Sequence, residues 1–262
     1  MIKRIINKVA SLIKSNPIYG WSGDFESWEE ATSLCSGYDQ SNILEKVKEA
    51  TWKVKTGEAI YERDSVIFDK IEYSYPLAAF LMWSNIKLSK LSVIDFGGSL
   101  GSTFYQNKFF LDRYDEISWN IIEQEKFVKI GKEFFEDERL HFFYNIDECL
   151  HFSKTKIDTI IFSSVLQYLS APYELLNDIL KYDFKHIIID ITTVHDLDLD
   201  RITIQRVPPS IYEASYPAWF FSEKKLINFF EKNGYKLIND WSLPYHINIG
   251  KHKGYFFTKL TK

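Results

Sequence analysis

Residues 93–101 read VIDFGGSLG, an apolar run that ends at an aspartate and continues into three glycines within five positions. A buried strand closed by an acidic residue and followed by a glycine-rich turn is typical of the first strand of a nucleotide-binding sheet. Glycines allow the main chain to approach a ligand, and the amides that open the next helix can meet a negatively charged group. The stretch therefore predicts a ligand site at the carboxyl end of this strand.

From about residue 89 onward, apolar runs alternate with amphipathic segments. Because the apolar runs read as strands buried on both faces, the alternation predicts an α/β fold with a Rossmann-like parallel sheet covered by helices on both sides. The predicted strands lie at 91–96, 117–123, 140–144, 157–162, 185–191, about 235–241 and 254–260. The predicted helices lie at 102–113, 124–137, 172–182 and after Ser222.

The first 88 residues predict a helical N-terminal extension ahead of this domain at 89–262. Residues 1–15 form a basic amphipathic pattern, which indicates either an end helix docked on the domain or attachment to an anionic membrane surface or a partner. Further helices are predicted after Ser27, which can cap the first turn, and at 41–56 and 65–87.

Composition narrows the class of protein. The 262 residues are 45% hydrophobic and carry a net charge of −4 with no dominant Lys/Arg run, so we expect no nucleic-acid partner. Cys35 and Cys149 fit neither a disulfide framework nor a metal site, and no metal is predicted. Without a signal peptide or an apolar run of roughly 18 residues, the expected location is cytoplasmic, or peripheral at the inner face of the membrane through the basic helix.

Two cofactor classes compete for the glycine turn. A dinucleotide fingerprint has the form G-x-G-x-x-G, and Gly98 and Gly101 can be its last two glycines, but Phe96 stands where the first is needed. The alternative is an acidic residue that closes the strand, followed by G-x-x-x-G, which is the pattern of S-adenosylmethionine sites. Asp95, Gly97 and Gly101 fit this second pattern.

The ends of the following strands supply further candidate cofactor residues. Glu123 can accept hydrogen bonds from both ribose hydroxyls, which suits either cofactor. Asn145 and Ile146 can bracket an adenine ring, although Asn145 alone is equally well a turn residue. Gln167 and Tyr168 are expected near the methionine end. The candidate cofactor-binding residues are Asp95, Gly97, Gly98, Ser99, Gly101, Glu123, Gln124, Asn145, Ile146, Ser163 and Gln167.

Catalysis and acceptor binding are predicted after the fifth strand. His195 is the first candidate for a general base, and its alternative role is a surface loop pair with Asp196. Asp190 is the second candidate, and its alternative role is that of a buried structural carboxylate. The segment of about 192–221 is too long and too aromatic for a plain connection, so we expect an acceptor loop or a lid on the N-terminal region. The candidate acceptor residues are Arg63, Gln205, Tyr212, Tyr216 and Trp219. Arg63 can bind an acceptor phosphate or the cofactor carboxylate, or it can form an ion pair with Glu62 or Asp64.

Beyond these local patterns, the sequence resembles a family of class I methyltransferases found in bacterial surface-polysaccharide gene clusters of the O-antigen and capsule type. The resemblance covers nearly the whole chain. It is carried by YGWSGDFESWEEA (19–31), GEAIYERDSVIF (57–68), IDFGGSLGS (94–102) with Tyr105-Gln106, WNIIEQ (119–124), SSVLQYLSAPYELL (163–176) and QRVPPSIYEASYPAWFFS (205–222). It departs from the family at Asp190-Ile191-Thr192-Thr193, where the pattern has Asp-Arg-Thr-Pro, and this puts any transfer of substrate preference in doubt.

The resemblance implies a mostly parallel seven-stranded sheet with an antiparallel last strand. It also implies S-adenosylmethionine as methyl donor, leaving S-adenosylhomocysteine as product, and O-methylation of a saccharide or glycan precursor. Two other function classes remain open. They are a nicotinamide-dependent oxidoreductase, which Phe96 and the lack of a Tyr-x-x-x-Lys pattern in the predicted helices disfavour, and a non-catalytic scaffold of a glycan-assembly complex.

Overall fold

The computed structural model describes residues 19–36, 40–84, 90–209, 211, 213–245 and 247–260. The predicted basic helix at 1–15 lies outside the described residues, so its contact with a membrane or a partner stays a prediction. No helix in the described part of the chain has both the length and the apolar character needed to cross a membrane.

The described N-terminal segment contains strands as well as helices. Ser27 caps the first helix, because its Oγ accepts a hydrogen bond from Glu30 N at 3.1 Å, and this helix and the predicted helix at 41–56 are confirmed. The sequence predicts a mainly helical segment, and the structure adds three short strands to its helices. The elements are β1 (Gly20–Phe25), α1 (Trp28–Ser33), α2 (Gln40–Thr56), β2 (Tyr61–Arg63), β3 (Val66–Phe68) and α3 (Tyr75–Ser84).

A β-hairpin replaces the first half of the helix predicted at 65–87. Strands β2 and β3 pair antiparallel around Asp64 and Ser65, which have φ angles of 50° and 67°. Two successive residues with positive φ make the tight turn that matches the twist of a two-residue hairpin, and aspartate tolerates this conformation better than most residues. Only Tyr75–Ser84 of the predicted range is helical.

Alternating strands and helices follow, as the sequence predicts. In chain order they are β4 (Lys90–Phe96), α4 (Ser102–Leu111), β5 (Glu116–Ile122), α5 (Glu125–Ile130), β6 (Leu140–Phe143), α6 (Ile146–Phe152), β7 (Thr159–Ser163), α7 (Pro172–Leu180) and β8 (His186–His195). The strands are parallel in the order β6-β5-β4-β7-β8. The chain starts at β4 in the middle of this order and continues outward through β5 and β6. It then returns to β7 on the other side of β4, and such sheets bind ligands at the point where the strand order reverses.

Both faces of this sheet are buried. Val93 and Ile94, neighbours in β4, belong to two separate hydrophobic clusters, and so do Ile160 and Ile161 in β7. Successive residues of a strand point to opposite faces, so each cluster marks one layer of helices against the sheet. This explains why the strands read as continuous apolar runs.

The predicted acceptor loop is largely a second hairpin. The chain forms β9 (Arg201–Val207) and β10 (Ala214–Ser222), which pair antiparallel, and β1 pairs antiparallel with the outer edge of β9. The last residues of β10 pair parallel with β8. The N-terminal segment and this hairpin therefore share one sheet, which extends the central sheet above its carboxyl edge.

The last elements complete the fold. They are α8 (Glu223–Lys232), β11 (Tyr235–Ser242) and β12 (Lys251–Lys259), and β12 lies antiparallel between β8 and β11. The central strands with β11 and β12 form the predicted Rossmann-like, mostly parallel sheet with an antiparallel last strand, so the fold class is confirmed.

Candidate functional site

A cavity of about 550 Å³ lies at the carboxyl ends of β4, β5 and β7. The central sheet contributes the glycine turn and the residues after β5 and β7, the N-terminal segment contributes α1, α2 and the β2 hairpin, and β9 and β10 close the remaining side. Among the lining residues are Trp28, Ile43, Val47, Glu62, Arg63, Gly97, Gly98, Ser99, Ser102, Glu123, Gln124, Ser163, Val165, Tyr168, Gln205, Tyr216 and Pro217.

The glycine turn has a main-chain geometry that other residues resist. Gly97 has φ of 73°, and a Cβ there would lie 2.4 Å from Val165 Cγ2. Ser99 has φ of 54°, and the turn leads directly into α4 at Ser102. The turn is held to the neighbouring strand because Gly97 N donates a hydrogen bond to Ile122 O at 2.9 Å. A side chain at position 97 would fill the space in which the turn packs against Val165.

Asp95 lies beneath the turn and does not line the cavity. It is fully buried, and its Oδ2 accepts a hydrogen bond from Trp119 Nε1 at 3.1 Å. A Cβ at Gly98 would lie 2.7 Å from the Asp95 carboxyl group, so that glycine makes room for the aspartate. Burial raises the pKa of Asp95 to about 7, and the nearby Glu123 adds to the rise. Asp95 therefore supports the turn from beneath, and its predicted direct contact with a cofactor is without support.

Glu123 lines the cavity at the carboxyl end of β5, as predicted. Its Oε1 accepts a hydrogen bond from Ser99 N at 3.3 Å and its Oε2 accepts one from Gln124 N at 2.7 Å. Burial raises the pKa of Glu123, and these two N–H groups oppose the rise. The carboxylate is thus fixed by main-chain donors at the end of the turn.

The other predicted cofactor residues are divided between the cavity and the core. Ser163 lines the cavity, whereas Gln167 is fully buried and donates to Ile191 O at 3.1 Å. Asn145 caps α6, since its Oδ1 accepts a hydrogen bond from Glu148 N at 2.8 Å, and Ile146 is buried in the core. Neither Asn145 nor Ile146 lines the cavity. Their placement favours the structural alternative for Asn145.

Neither predicted base faces the cavity. His195 ends β8, where its Nδ1 accepts a hydrogen bond from Leu197 N at 3.0 Å. Asp190 is buried and accepts hydrogen bonds from Trp241 Nε1 at 2.9 Å and Ser74 Oγ at 3.2 Å. Burial raises the pKa of Asp190 to about 6. This geometry matches the structural alternative for Asp190 and leaves the catalytic prediction for both residues without support.

The predicted acceptor residues are split in the same way. Three of them line the cavity: Arg63, Gln205 and Tyr216. Tyr168 also lines it and contacts two of these residues. Its hydroxyl donates to Gln205 Oε1 at 2.8 Å, and its ring meets the Tyr216 ring edge to face at 5.3 Å. Trp219 does not line the cavity. Its ring stacks on Trp28 at 5.8 Å and its Nε1 donates to Leu169 O at 2.9 Å, so it anchors the hairpin.

The remaining acceptor predictions concern Tyr212 and the ion pair of Arg63. Tyr212 lies outside the described residues. The Arg63 guanidinium donates to the Tyr245 hydroxyl at 3.0 Å and makes no ion pair with Glu62, Asp64 or any other carboxylate of the described residues. No close ion pair is therefore present within the described hairpin, although the Asp64 charge still acts on the Arg63 guanidinium.

Glu62 lines the cavity beside the glycine turn, and this position is not apparent from the sequence. Its side chain is only 2% exposed, and its Oε1 accepts hydrogen bonds from Ser102 Oγ, at the first residue of α4, and from Thr51 Oγ1 at 3.3 Å. Burial raises the pKa of Glu62, and the Ser102 hydrogen bond opposes the rise. The strand–turn–strand pattern YERDSVIF (61–68) was the available signal, because it brings Glu62 over the glycine turn only when read as a hairpin.

A second cavity of about 730 Å³ lies at the opposite edge of the sheet, near the amino ends of β4 and β5. It is lined by exposed charged residues such as the Lys90–Glu116 ion pair, in which both side chains are more than half exposed. Ligands of parallel sheets bind at the carboxyl edge, so the smaller cavity is the candidate site.

No protein-family model matches this sequence, and no curated protein matches it. Among solved structures, the chain is 12% identical to 1,6-didemethyltoxoflavin-N1-methyltransferase of Burkholderia thailandensis, crystallised with 1,6-didemethyltoxoflavin and S-adenosylhomocysteine. This match covers 92% of this chain and 93% of that chain, with a TM-score of 0.48.

Two further solved structures are similar at the same level. An S-adenosylmethionine-dependent methyltransferase of Methanosarcina mazei is 11% identical over 69% of this chain and 98% of that chain, with a TM-score of 0.49. The magnesium protoporphyrin IX methyltransferase of Synechocystis PCC 6803 is 13% identical over 86% and 99%, with a TM-score of 0.45. Identities and TM-scores this low carry no argument about ligand or reaction. The fold rests on the strand order, and the chemistry of the site rests on its residues.

Proposed function

We propose that this chain is an S-adenosylmethionine-dependent methyltransferase. The observation that carries the proposal is the Glu62 carboxyl group at the N-terminus of α4, hydrogen-bonded to Ser102 Oγ. In dinucleotide sites the pyrophosphate sits at the N-terminus of this helix. A pyrophosphate brought there would meet a buried acidic group, whereas a cofactor that carries no phosphate would not. This supports the S-adenosylmethionine alternative over the nicotinamide one.

The residues present fit such a cofactor. The turn at 97–101 offers main chain without side chains at Gly97 and Gly98, and Glu123 stands at its end with a carboxylate suited to ribose hydroxyls. Gln124 and Ser163 complete this side of the cavity. These residues would hold the nucleoside part of the cofactor.

The main contribution of the protein to the reaction would be to position the acceptor relative to the cofactor. When bound, the cofactor supplies a methyl group on a sulfonium. The rate then depends on an acceptor atom held near attack distance and in line with the S–C bond. The cavity lies between the central sheet and the β9–β10 hairpin, where it would hold both partners side by side for such an alignment.

For the acceptor we infer a hydroxyl of a saccharide or glycan precursor. Support comes from the resemblance and from the lining by Gln205, Tyr168 and Tyr216, which combines an amide and phenol groups with flat rings. A hydroxyl acceptor calls for a general base, and neither His195 nor Asp190 reaches the cavity. The base therefore has to come from another group or from the acceptor itself. Cytoplasmic or inner-membrane location remains an expectation.

Calorimetric titration of the purified protein with S-adenosylhomocysteine tests the proposal, with NAD and NADP as controls. We expect binding of S-adenosylhomocysteine alone, because only that ligand avoids placing phosphate beside Glu62. Binding of NAD or NADP in its place would contradict the proposal and restore the oxidoreductase reading. If none of the three ligands binds, the non-catalytic scaffold becomes the better description.

A further inference from the structure

Glu62 is a buried carboxylate with an incomplete set of hydrogen bonds. Its Oε1 accepts from Ser102 Oγ and Thr51 Oγ1, but its Oε2 is buried and has no hydrogen-bond partner among the described residues. The residue is 2% exposed and still forms part of the cavity lining. Leaving a buried acceptor without a hydrogen bond is unfavourable, and more so for a charged group, so such an oxygen calls for a donor.

The surroundings of Glu62 favour its ionised form in part. The N-terminus of α4 carries a partial positive charge, and the hydroxyl donors act in the same direction. The backbone N–H of Ser65 adds to this attraction but makes no hydrogen bond to Oε2. Burial opposes them and raises the pKa of the carboxyl group. A cationic donor placed against Oε2 would both satisfy the oxygen and offset the cost of burying its charge.

The position of Glu62 along the turn indicates which part of a ligand it meets. Glu123 contacts Ser99 near the middle of the turn, whereas Glu62 contacts Ser102, just past its end. A nucleoside held by Glu123 therefore leaves its substituent to pass over the last part of the turn. In S-adenosylmethionine this substituent ends in an amino acid, whose α-ammonium group is a cation with hydrogen-bond donors.

We propose that Glu62 binds the α-ammonium group of the cofactor through Oε2, an inference that rests on the proposed function. Glu62 would then be a residue that selects an amino-acid-bearing nucleoside over one without an amino group. The N-terminal segment would thereby take part in cofactor recognition, through a residue outside the nucleotide-binding sheet.

The alternative hypothesis is that Glu62 acts as a general base, and its contacts disfavour this role. Thr51 and Ser102, the partners of Glu62, come from α2 and α4, beside the glycine turn. The aromatic wall expected for the acceptor comes from the β9–β10 hairpin and from Tyr168. Glu62 is thus on the cofactor's side of the cavity.

The test pairs a change in the protein with the matching change in the ligand. The affinities of S-adenosylhomocysteine and of its desamino analogue, in which hydrogen replaces the α-amino group, are measured by calorimetry for the wild-type protein and for Glu62→Gln. We expect the wild type to prefer S-adenosylhomocysteine by about 10- to 100-fold, as for a charge-assisted hydrogen bond. In Glu62→Gln the ratio of the two affinities should fall close to one. Only S-adenosylhomocysteine has the α-ammonium group that the Glu62 carboxylate would bind, so only its affinity should fall.

Asp69→Asn is the matched control. It also removes a carboxylate near the β2–β3 hairpin, but Asp69 is exposed and does not line the cavity. It should keep the wild-type preference. Thermal unfolding without ligand shows whether each variant is folded, and glutamine keeps the size of the buried side chain. If Glu62→Gln does not fold, the wild-type protein alone decides, since equal affinity for the two ligands would overturn the inference.

The outcomes separate this inference from the proposed function. A wild-type protein that binds neither ligand contradicts both. A wild-type protein that binds S-adenosylhomocysteine, with a preference over the analogue that Glu62→Gln leaves intact, overturns only the role of Glu62. Loss of methyl transfer in Glu62→Gln with that preference unchanged would also overturn it and would assign the residue to proton transfer.

Discussion

The cavity has two walls that are built in different ways. The cofactor wall consists of the turn at 97–101 with Glu123, and its shape comes from main-chain conformation, such as the φ of 73° at Gly97 and 54° at Ser99. The acceptor wall consists of Gln205 and Tyr216 from the β9–β10 hairpin with Tyr168, and its shape comes from contacts between side chains. The first wall is local in sequence, and the second joins residues more than thirty-five positions apart.

This difference separates the effects expected from mutation. A change in the cofactor wall alters a backbone geometry on which the whole turn depends. A change in the acceptor wall removes one surface and leaves the remaining structure in place. The cofactor wall should therefore be intolerant of small substitutions, and the acceptor wall should tolerate them with a selective loss of one property.

The largest effect is expected for Gly97→Ala. The new Cβ would lie 2.4 Å from Val165 Cγ2, and the residue would have to keep a φ of 73°. Strain and overpacking of this kind each cost about 1–3 kcal/mol, so affinity for S-adenosylhomocysteine should fall by about 100-fold or more. Calorimetry measures the affinity, and thermal unfolding measures the accompanying loss of stability.

Gly57→Ala is the control for that substitution. Gly57 has φ of 80°, but a Cβ there would have nothing within 4 Å. It should lower stability by about 1 kcal/mol through backbone strain alone and leave affinity for S-adenosylhomocysteine unchanged. If the two variants behave alike, the contact with Val165 does not shape the cofactor wall.

A second prediction concerns Glu123→Ala. Ser99 N and Gln124 N fix its carboxylate at the end of the turn. Removing the carboxylate should lower the affinity for S-adenosylhomocysteine by about 10- to 100-fold, as expected for hydrogen bonds to a charged group. Titration calorimetry measures this loss. Glu125→Ala, which removes an exposed carboxylate paired with Lys129, should have no effect. Equal affinities in both variants would remove Glu123 from the site.

The third prediction tests the acceptor wall. Tyr216→Ala should lower methyl transfer by about 10-fold while affinity for S-adenosylhomocysteine stays within about 2-fold, because the lost ring belongs to only one wall. Transfer is measured with labelled methyl groups against a panel of nucleotide sugars and lipid-linked glycans. Tyr216→Phe keeps the ring and should retain most of the transfer. An equal loss of transfer and cofactor affinity in Tyr216→Ala would contradict the division into two walls.

The last prediction concerns stability, not ligand affinity, and is made for Asp95 beneath the cofactor wall. Its pKa is about 7 in the folded protein against an ordinary 3.8, so between these pH values the folded state keeps a proton that the unfolded state has lost. The free energy of unfolding should therefore fall as pH rises through this range, by up to about 1.4 kcal/mol per pH unit from this group. Asp95→Asn should reduce that slope in denaturant unfolding at several pH values. Identical slopes in the two proteins would contradict a protonated Asp95.

The sequence predicts the cofactor wall well because its constraints are local. An apolar run, an aspartate and closely spaced glycines sit next to one another, and the alternation of strands and helices places them at the reversal of the sheet. Glu123 follows from the same logic, since parallel strands end at one edge. Even here, the sequence did not show that Asp95 points into the core, because that depends on Trp119, which lies on the next strand.

The acceptor wall and the N-terminal segment could be predicted only in part. The aromatic residues of 205–219 indicate a functional segment, but Trp219 looks the same as Tyr216 until its stacking on Trp28 is known. Residues 65–74 read as helical because their turn depends on positive φ at Asp64 and Ser65, which neither residue type requires. For the same reason Glu62 was not recognised as part of the site. The sequence places His195 just after the fifth strand, whereas β8 extends as far as His195, and the direction of its side chain is not predictable.

The pairing of β1 with β9 has a consequence for synthesis of the protein. Gly20 lies opposite Arg206, so β1 finds its partner only after the ribosome has made all the residues between the two strands. Contacts of such long separation form late and slow the overall folding. The glycine turn and its strand can assemble earlier, from neighbouring segments. A nascent chain can therefore build the glycine-turn side of the cavity first, and the other side forms only once the β9–β10 hairpin has been made.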